Sequence, residues 1–590
     1  MKKVGSLIGL ILTVIIAAIL WWLLCPALSL NYFGSVIMIE IFVLALIFFI
    51  AGLVTSEESS ANVGAALIVF IIFFVIDAIG LIGSTKFFQA DKLYTQLANG
   101  NINNIEEVPF DKMISDIDTS QIPIVDYETA KIIATKKLGE DVTLGSRARV
   151  GDGACMEVNG EVLWVFPLEH KGFWTWNKHR TTPGYITVSA SNVSHTKFYS
   201  NYTIKYSNSA YFNENMTRHL RINGCLFEGL TEYTFELMDD YTPMEVVTTY
   251  SNTGFWGAPE ATGVVICNVE TGEVKKYSIN DVPEWVDVVQ PDKFISDQIN
   301  NWGEYSQGAV NWSETGKFQK TSGILTVFDN GDCYYFTGLT SKGSDRSVGR
   351  FIMVNTRTKK AKYAKLSGTT EDAAKTDAQA LWADYGYDPV DPMPINVNGV
   401  PTYAFAFKSS ESRLIVAYGM VNISDTTIMA KGESLKEAER AYVKKLATAG
   451  ISYAASDEAF GKSMEGTVFR ISNYVMDGDT YYTFMLDGHS EIFVAGNNIS
   501  EELPLTEKGD QVKIYYVDDA NGSFSIEEFD NVAYDTVKSE NQERRDELDE
   551  SHERPQDNIV DVNPEEQQSW WDSLTDEERA KIMSGENSDQ

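Results

Sequence analysis

Apolar residues crowd the start of the chain and thin out afterwards. Three almost uninterrupted apolar runs occupy residues 4 to 24, 34 to 54 and 62 to 83, each about the 20 residues needed to cross a hydrocarbon layer of roughly 30 Å. They predict three transmembrane helices. Because the first run follows "MKK", a signal peptide cleaved near Ala27 to Ser29 is the competing reading, but the apolar core is too long for that role. Lys2 and Lys3 favour a cytoplasmic N-terminus, and three crossings then place everything after residue 84 outside the cytoplasm. Lys86, Lys92 and an inner loop without basic residues, "TSEESSAN", weaken that charge argument.

Two carboxylates interrupt the apolar runs, Glu40 in the second and Asp77 in the third. Consecutive crossings run antiparallel, so at 1.5 Å per residue both groups fall about 9 Å below the outer surface. A carboxylate at that depth is protonated, paired or directed at water. A shared proton or a cation pathway is the sharper reading. Snorkelling, or pairing with a basic residue of another subunit, is the plainer one.

Beyond residue 84 the pattern shortens to strands and turns, and the chain reads as a membrane-anchored, β-rich α+β protein. The expected divisions are a linker at 85–125, α+β ectodomains at 126–290 and 291–450, a small barrel at 463–535, and a disordered acidic tail with a short helix at 536–590. "VVICNVETGEVKKYSI" and "RFIMVNTRTKKAKYAKL" alternate about polar turns and read as hairpins. "DYETAKIIATKKLGE" reads as a helix capped by Asp126, with Ala130, Ile133, Ala134 and Leu138 on one face. "TTEDAAKTDAQALWADYG" reads as a second, capped by Thr369, with Ala374, Ala378, Leu381 and Tyr385 as its stripe and Gly386 as its stop. Each precedes two strands, which suggests an internal duplication. This order of helix, strand and strand, with the turn "NVETGEV", resembles PepSY domains of bacterial envelope proteins and secreted peptidase propeptides. The resemblance implies an extracytoplasmic module that binds or inhibits a partner.

"SLKEAERAYVKKLATAG" opens with a capping box from Ser434 to Glu437. Five strand-like runs follow Gly466, with a longer connection before the fourth, as in a barrel of the OB type.

Charge then narrows the partners. The chain of 590 residues carries 48 basic and 83 acidic residues, a formal net charge of −35. That field repels phosphate backbones and anionic lipid headgroups, so nucleic acid is not expected as a partner and peripheral attachment to acidic lipid is disfavoured; a protein partner is expected besides the lipid bilayer. The barrel segment holds only Arg470, Lys508 and Lys513 as basic residues, the wrong sign for a groove that tracks phosphates. Five cysteines make no zinc spacing; Cys155, Cys225, Cys267 and Cys333 read as buried thiols, with two disulfides as the alternative.

No phosphate-binding loop, dinucleotide glycine motif, HExxH or nucleophile elbow is present, and no cofactor or catalytic residue is expected. A basic, aromatic island stands out instead: His170, Lys171, Phe173, Trp174, Trp176, Lys178, His179 and Arg180 form a candidate surface for an anionic ligand, against the plainer reading of aromatic packing at a strand edge. In the tail, "SWWDSLTDEERAKIM" places Trp570, Trp571 and Leu574 before a capping box at Thr575 and Glu578, with Ile582 and Met583 after it. It reads either as a partner-binding motif or as a helix folded back on the barrel. Acidic turns at 328–332, 476–479 and 517–528 read first as hairpins, and weak calcium binding is the alternative. Glu236, Asp239 and Asp240 are the carboxylates for a hydrolase alternative.

Overall fold

The computed structural model describes residues 2–579 apart from 55–58, 116–121, 309, 312, 322, 343–346, 398, 450, 452–461, 477–478, 498, 519–523, 535–568 and 570–571. Three apolar helices open the chain: α1 (Lys2–Leu24), α2 (Phe33–Val54) and α3 (Ser59–Gly83). Among the described residues Val4–Leu24 and Phe33–Ile50 are long and apolar enough to cross a membrane, and Leu67–Gly83 is a shorter apolar stretch. Gly9 lets α1 and α2 approach closely, since a Cβ there would meet the Phe49 ring at 2.2 Å.

The expected linker is a folded part of the body. It forms α4 (Ala90–Gln96), β1 (Ile105–Glu107) and α5 (Phe110–Met113), and its sparse apolar residues Leu93, Leu97, Phe110 and Met113 are each buried. Their spacing follows no single period because they enter different cores, with Leu97 in one cluster and Phe110 and Met113 in another.

Next come α6 (Tyr127–Gly139), α7 (Val142–Arg147), β2 (Ala148–Val150), β3 (Ala154–Val158), β4 (Glu161–His170), α8 (Phe173–His179), β5 (Thr182–Ser189) and β6 (Thr196–Ile204). Helix α9 (Met216–Ile222) leads to an antiparallel meander of β7 (Gly229–Leu237), β8 (Pro243–Gly254), β9 (Gly257–Asn268) and β10 (Val274–Ser278). Helix α10 (Asp292–Glu304) precedes β11 (Phe318–Lys320), β12 (Leu325–Asp329), β13 (Asp332–Ser341), β14 (Ser347–Asn355) and β15 (Ala361–Thr369), to which β1 adds in parallel. Then follow α11 (Glu371–Ala378), β16 (Tyr387–Pro389), β17 (Met393–Val397), β18 (Val400–Ser409), β19 (Ile415–Asn422), β20 (Met429–Gly432) and α12 (Leu435–Thr448).

The duplication is visible in register. The order β2-β4-β5-β6, with β3 beside β4, matches β16-β18-β19-β20 with β17 beside β18. Ala148 pairs His170 and Val150 pairs Leu168, as Tyr387 pairs Ser409 and Pro389 pairs Phe407. Leu163 pairs Ser189 as Thr402 pairs Asn422. In sequence an Asn-Gly doublet, 159–160 and 398–399, separates the five-residue strand from the ten-residue strand in both copies; in the first copy Asn159 and Gly160 both take positive φ, as a type I′ turn requires. One connection differs. Between the long strands the first copy has residues 171–181 and the second 410–414, so α8 is an insertion.

Alternation of side chains fills both faces of these sheets. Phe166 and Leu168 on β4 pack with Ala130 and Ala134 of α6, while Leu163 and Val165 face the meander residues Phe235, Val247 and Val265. Equivalent positions Phe405 and Phe407 pack with Ala374 and Ala378 of α11 and with Phe336 and Phe351 of the β11–β15 sheet. The α11 cap is Thr370, whose side chain accepts from Ala373 N, and not Thr369. The α pattern also breaks after Ala378 into a 3₁₀ segment, which buries Trp382 and leaves Tyr385 exposed.

Residues 1–455 make one compact unit, so the boundary expected at 290 does not separate two bodies. The second unit is a closed barrel of β21 (Lys462–Met476), β22 (Asp479–Leu486), β23 (Phe493–Gly496), β24 (Gln511–Asp518) and β25 (Phe524–Asn531), in the order β21-β22-β23-β25-β24. β21 pairs both β22 and β24, and β23 runs parallel to β25. The "DNG" turn at 329–331 joins β12 to β13 as a hairpin. The turns at 477–478 and 519–523 lie outside the described residues, but paired strands flank each of them.

Candidate functional site

The helix ends are built into the body. Arg218 Nε donates to Trp22 O at 3.1 Å, and its guanidinium lies 4.6 Å from that indole. The buried Arg221 donates to Cys25 O at 2.9 Å and also to Cys225 O and Glu228 O. Leu28 N donates to Leu226 O, and Asn31 and Asn252 exchange backbone and side-chain hydrogen bonds. Tyr32 Oη donates to Tyr250 O and accepts from Gly229 N. At the far end of α3, Ser84 Oγ accepts from Trp256 N, Trp256 Nε1 donates to Leu30 O, and Gly80 leaves room for the Trp256 ring. One surface of the body therefore grips the α1–α2 connection and the end of α3 together.

Glu40 of α2 and Asp77 of α3 come close enough for their carboxyl charges to interact. Asp77 Oδ1 is buried with no partner among the described residues.

The island at 170–180 divides into an inner and an outer half. His170 is buried, its Nε2 has no partner among the described residues, and burial pushes its pKa down, so it stays neutral inside the fold. Trp176 is also buried: its Nε1 donates to Glu214 Oε2 at 2.8 Å, and the Arg180 guanidinium sits 4.3 Å from its ring and 3.4 Å from the same carboxylate. Phe173 joins Trp176, Tyr211 and Phe212 in one aromatic cluster. These residues do not line a shared ligand surface. His179 is half-buried, and Lys171, Trp174, Lys178 and Arg180 remain outside, with Lys171 Nζ donating to Gly145 O. In the tail, Thr575 N and Oγ1 both donate to Glu578 Oε2 and Leu574 is half-buried; Trp570, Trp571, Ile582 and Met583 lie outside the described residues.

The hydrolase carboxylates do not converge. Glu236 is buried, accepts from Thr234 Oγ1 at 2.8 Å, and is pushed up to about 8 by desolvation and by Asp287. Asp239 and Asp240 lie exposed in the following turn, where Asp240 Oδ1 accepts from Thr242 N. All five cysteines are free thiols. Among the described residues no group of three or more His, Cys, Asp or Glu is arranged to hold a metal ion.

Sequence reasoning missed a polar groove beside β11. It measures about 590 Å³ and is lined by Lys86, Asn301, Glu304, Lys320, Lys342 and Asp372 among others. Glu304 pairs with both Lys317 and Lys342, which hold its carboxyl below the usual range. Its residues are scattered from 86 to 372 and form no motif, so only the fold assembles them.

No family model matches the chain, and no curated protein does. Solved structures that align with it include a mutant of the Bombyx mori GH32 β-fructofuranosidase BmSUC1 in complex with sucrose, at 11% identity over 67% of this chain and 69% of that one, TM-score 0.18. A GH43B protein of a Bacteroides ovatus xyloglucan locus aligns at 11% identity over 65% of this chain and 57% of its own, TM-score 0.15. Superpositions that loose carry no argument about fold or activity.

Proposed function

We propose that the chain is a non-enzymatic, membrane-anchored envelope protein whose ectodomain binds a protein partner or another envelope component. The observation that carries this reading is the grip of the body on both the α1–α2 connection and the α3 end. If all three helices cross, those two points share one side of the membrane, and Lys2 and Lys3 lie on the other. Basic residues are retained in the cytoplasm, so the body lies outside it. The register-matched duplication agrees with the PepSY-like order, and the barrel's strand order, with its third and fifth strands parallel, agrees with an OB-like module. The groove beside β11, open and mixed in charge, is the surface offered to the partner.

Photo-crosslinkers at Gln319 and Lys320, compared with one at exposed Lys275, test this reading in intact cells. A discrete adduct from the groove positions, lost on Lys342→Glu, is expected. Adducts alike at all three positions, or none, would overturn it.

The approach of Glu40 to Asp77 within the apolar helices favours a second reading, an accessory subunit of an ion-coupled or secretory complex.

A further inference from the structure

The side of the body that grips the helix ends also carries large exposed apolar residues. Trp174 is 80% exposed, and Phe212, Ile222, Phe227 and Phe255 are each more than half exposed. They come from separate connections, yet contacts place each beside a helix end. The Phe212 ring lies 5.9 Å from that of Trp22. Ile222 closes α9, whose Arg218 and Arg221 bond the last carbonyls of the α1 region. Phe227 follows Leu226, the acceptor for Leu28 N. Phe255 lies against Gly83, where a Cβ would meet its ring at 2.6 Å. Trp174 reaches the same rim through Phe173, which contacts Phe212.

Scattered exposed apolar residues are ordinary, but five large ones gathered at the ends of apolar helices are not. We propose that this rim seats in the headgroup layer of the bilayer, so that the body lies on the membrane rather than standing away from it. The inference rests on the membrane reading above. Aromatic rings favour that layer, where one part of the ring is apolar and its edge is wet. Lys171 and Lys178 flank Trp174; Lys171 Nζ is held by Gly145 O, and the exposed Lys178 reaches phosphate groups with its aliphatic stem along the surface. The inserted loop bearing α8 supplies all three, whereas the matching connection in the second copy reads "SESRL" at 410–414, without an aromatic residue. The first copy is the one so equipped.

The full chain in mixed phosphatidylcholine and phosphatidylglycerol vesicles, carrying a polarity-sensitive fluorophore on single introduced cysteines, tests this. The sites are Trp174→Cys, Phe227→Cys and Phe255→Cys, with Ile41→Cys within α2 and Asp239→Cys at the end of β8 remote from the helices. Spin-labelled lipids with a shallow nitroxide are expected to remove most of the fluorescence at 174, 227 and 255 and little at 239, while a deep nitroxide quenches 41. Quenching at 41 with none at 174, 227 and 255 would overturn the rim proposal and leave the membrane reading standing, with a protein partner or second copy covering the face. Absence of quenching at 41 would overturn both.

Discussion

Asn31 and Asn252 hold the α1–α2 connection to the tip of the β8–β9 hairpin through reciprocal bonds: Asn31 Nδ2 donates to Asn252 O at 2.9 Å, and Asn252 Nδ2 donates to Asn31 O at 2.8 Å. A third bond runs from Asn252 N to Asn31 Oδ1. Removing either side chain leaves part-buried partners unmet, at a cost of about 1–3 kcal/mol. Asn31→Ala and Asn252→Ala are each expected to lower the thermal midpoint in detergent. The double variant is expected to lose less than the two single losses added, and strict additivity would show that the bonds are not made.

Glu40 and Asp77 form the corresponding contact inside the apolar helices. Glu40→Gln keeps a polar neighbour for Asp77 and is expected to accumulate as the parent does. Glu40→Leu strands the carboxyl of Asp77 and lowers accumulation; Asp77→Leu in the same chain restores it, because polar contacts between membrane helices contribute only about 0.6–2 kcal/mol. Immunoblots of membrane fractions decide this, and a double variant no better than Glu40→Leu would contradict the pairing.

Buried carboxyls give the body a pH dependence. Desolvation pushes Glu236 and Glu245 up to about 8 and Asp287 to about 6. Glu236 faces Asp287 and Thr234, and Glu245 faces Asn208 and Glu169. In the unfolded chain such groups release their protons near pH 4.3, so between about 4.5 and 8 the folded chain holds more protons. Their contribution is complete below about pH 4 and is lost as the pH rises from there through 6 for Asp287 and 8 for Glu236 and Glu245. Thermal midpoints are expected to fall across that window, and Glu236→Gln to flatten the fall; a midpoint that rises from pH 5 to 8 would contradict the assignment.

Gly184 permits the close crossing of β5 and β6. Its φ is +50°, and a Cβ there would stand 1.6 Å from Tyr199 O. Gly184→Ala is expected to destabilise the body by about 3 kcal/mol or more, since backbone must move. Urea unfolding followed by tryptophan fluorescence measures it.

Local pattern carried much of the fold. Asp126 caps α6 as its side-chain chemistry requires, Ser434 and Glu437 close a capping box on α12, and five alternating runs form the barrel. The two Asn-Gly doublets at 159–160 and 398–399 are a further signal in the sequence, since such a doublet predicts a two-residue hairpin and the two fall at matching places in the repeat. What escaped was long-range. The linker's Leu97 and Phe110 have partners some two hundred residues away, in the β11–β15 sheet. His170 and Trp176 stand among basic and aromatic neighbours in sequence, but strand alternation and the α8 turn send them inward. Tyr385 drops out of the expected stripe because the chain turns 3₁₀ after Ala378 and buries Trp382 instead, whose Nε1 donates to Tyr418 O. Glu40 and Asp77 differ: antiparallel helices of known rise bring equal depths together, and the two carboxyls lie within reach of each other's charge.

Everything proposed for the body depends on which side of the membrane it occupies. Asp239 lies exposed in the turn before β8, so in Asp239→Cys a membrane-impermeant maleimide added to intact cells reaches the thiol only if that turn is extracytoplasmic. Labelling equal in intact and lysed cells, with the parent chain as blank, is the predicted result. Labelling that appears only after lysis would contradict it.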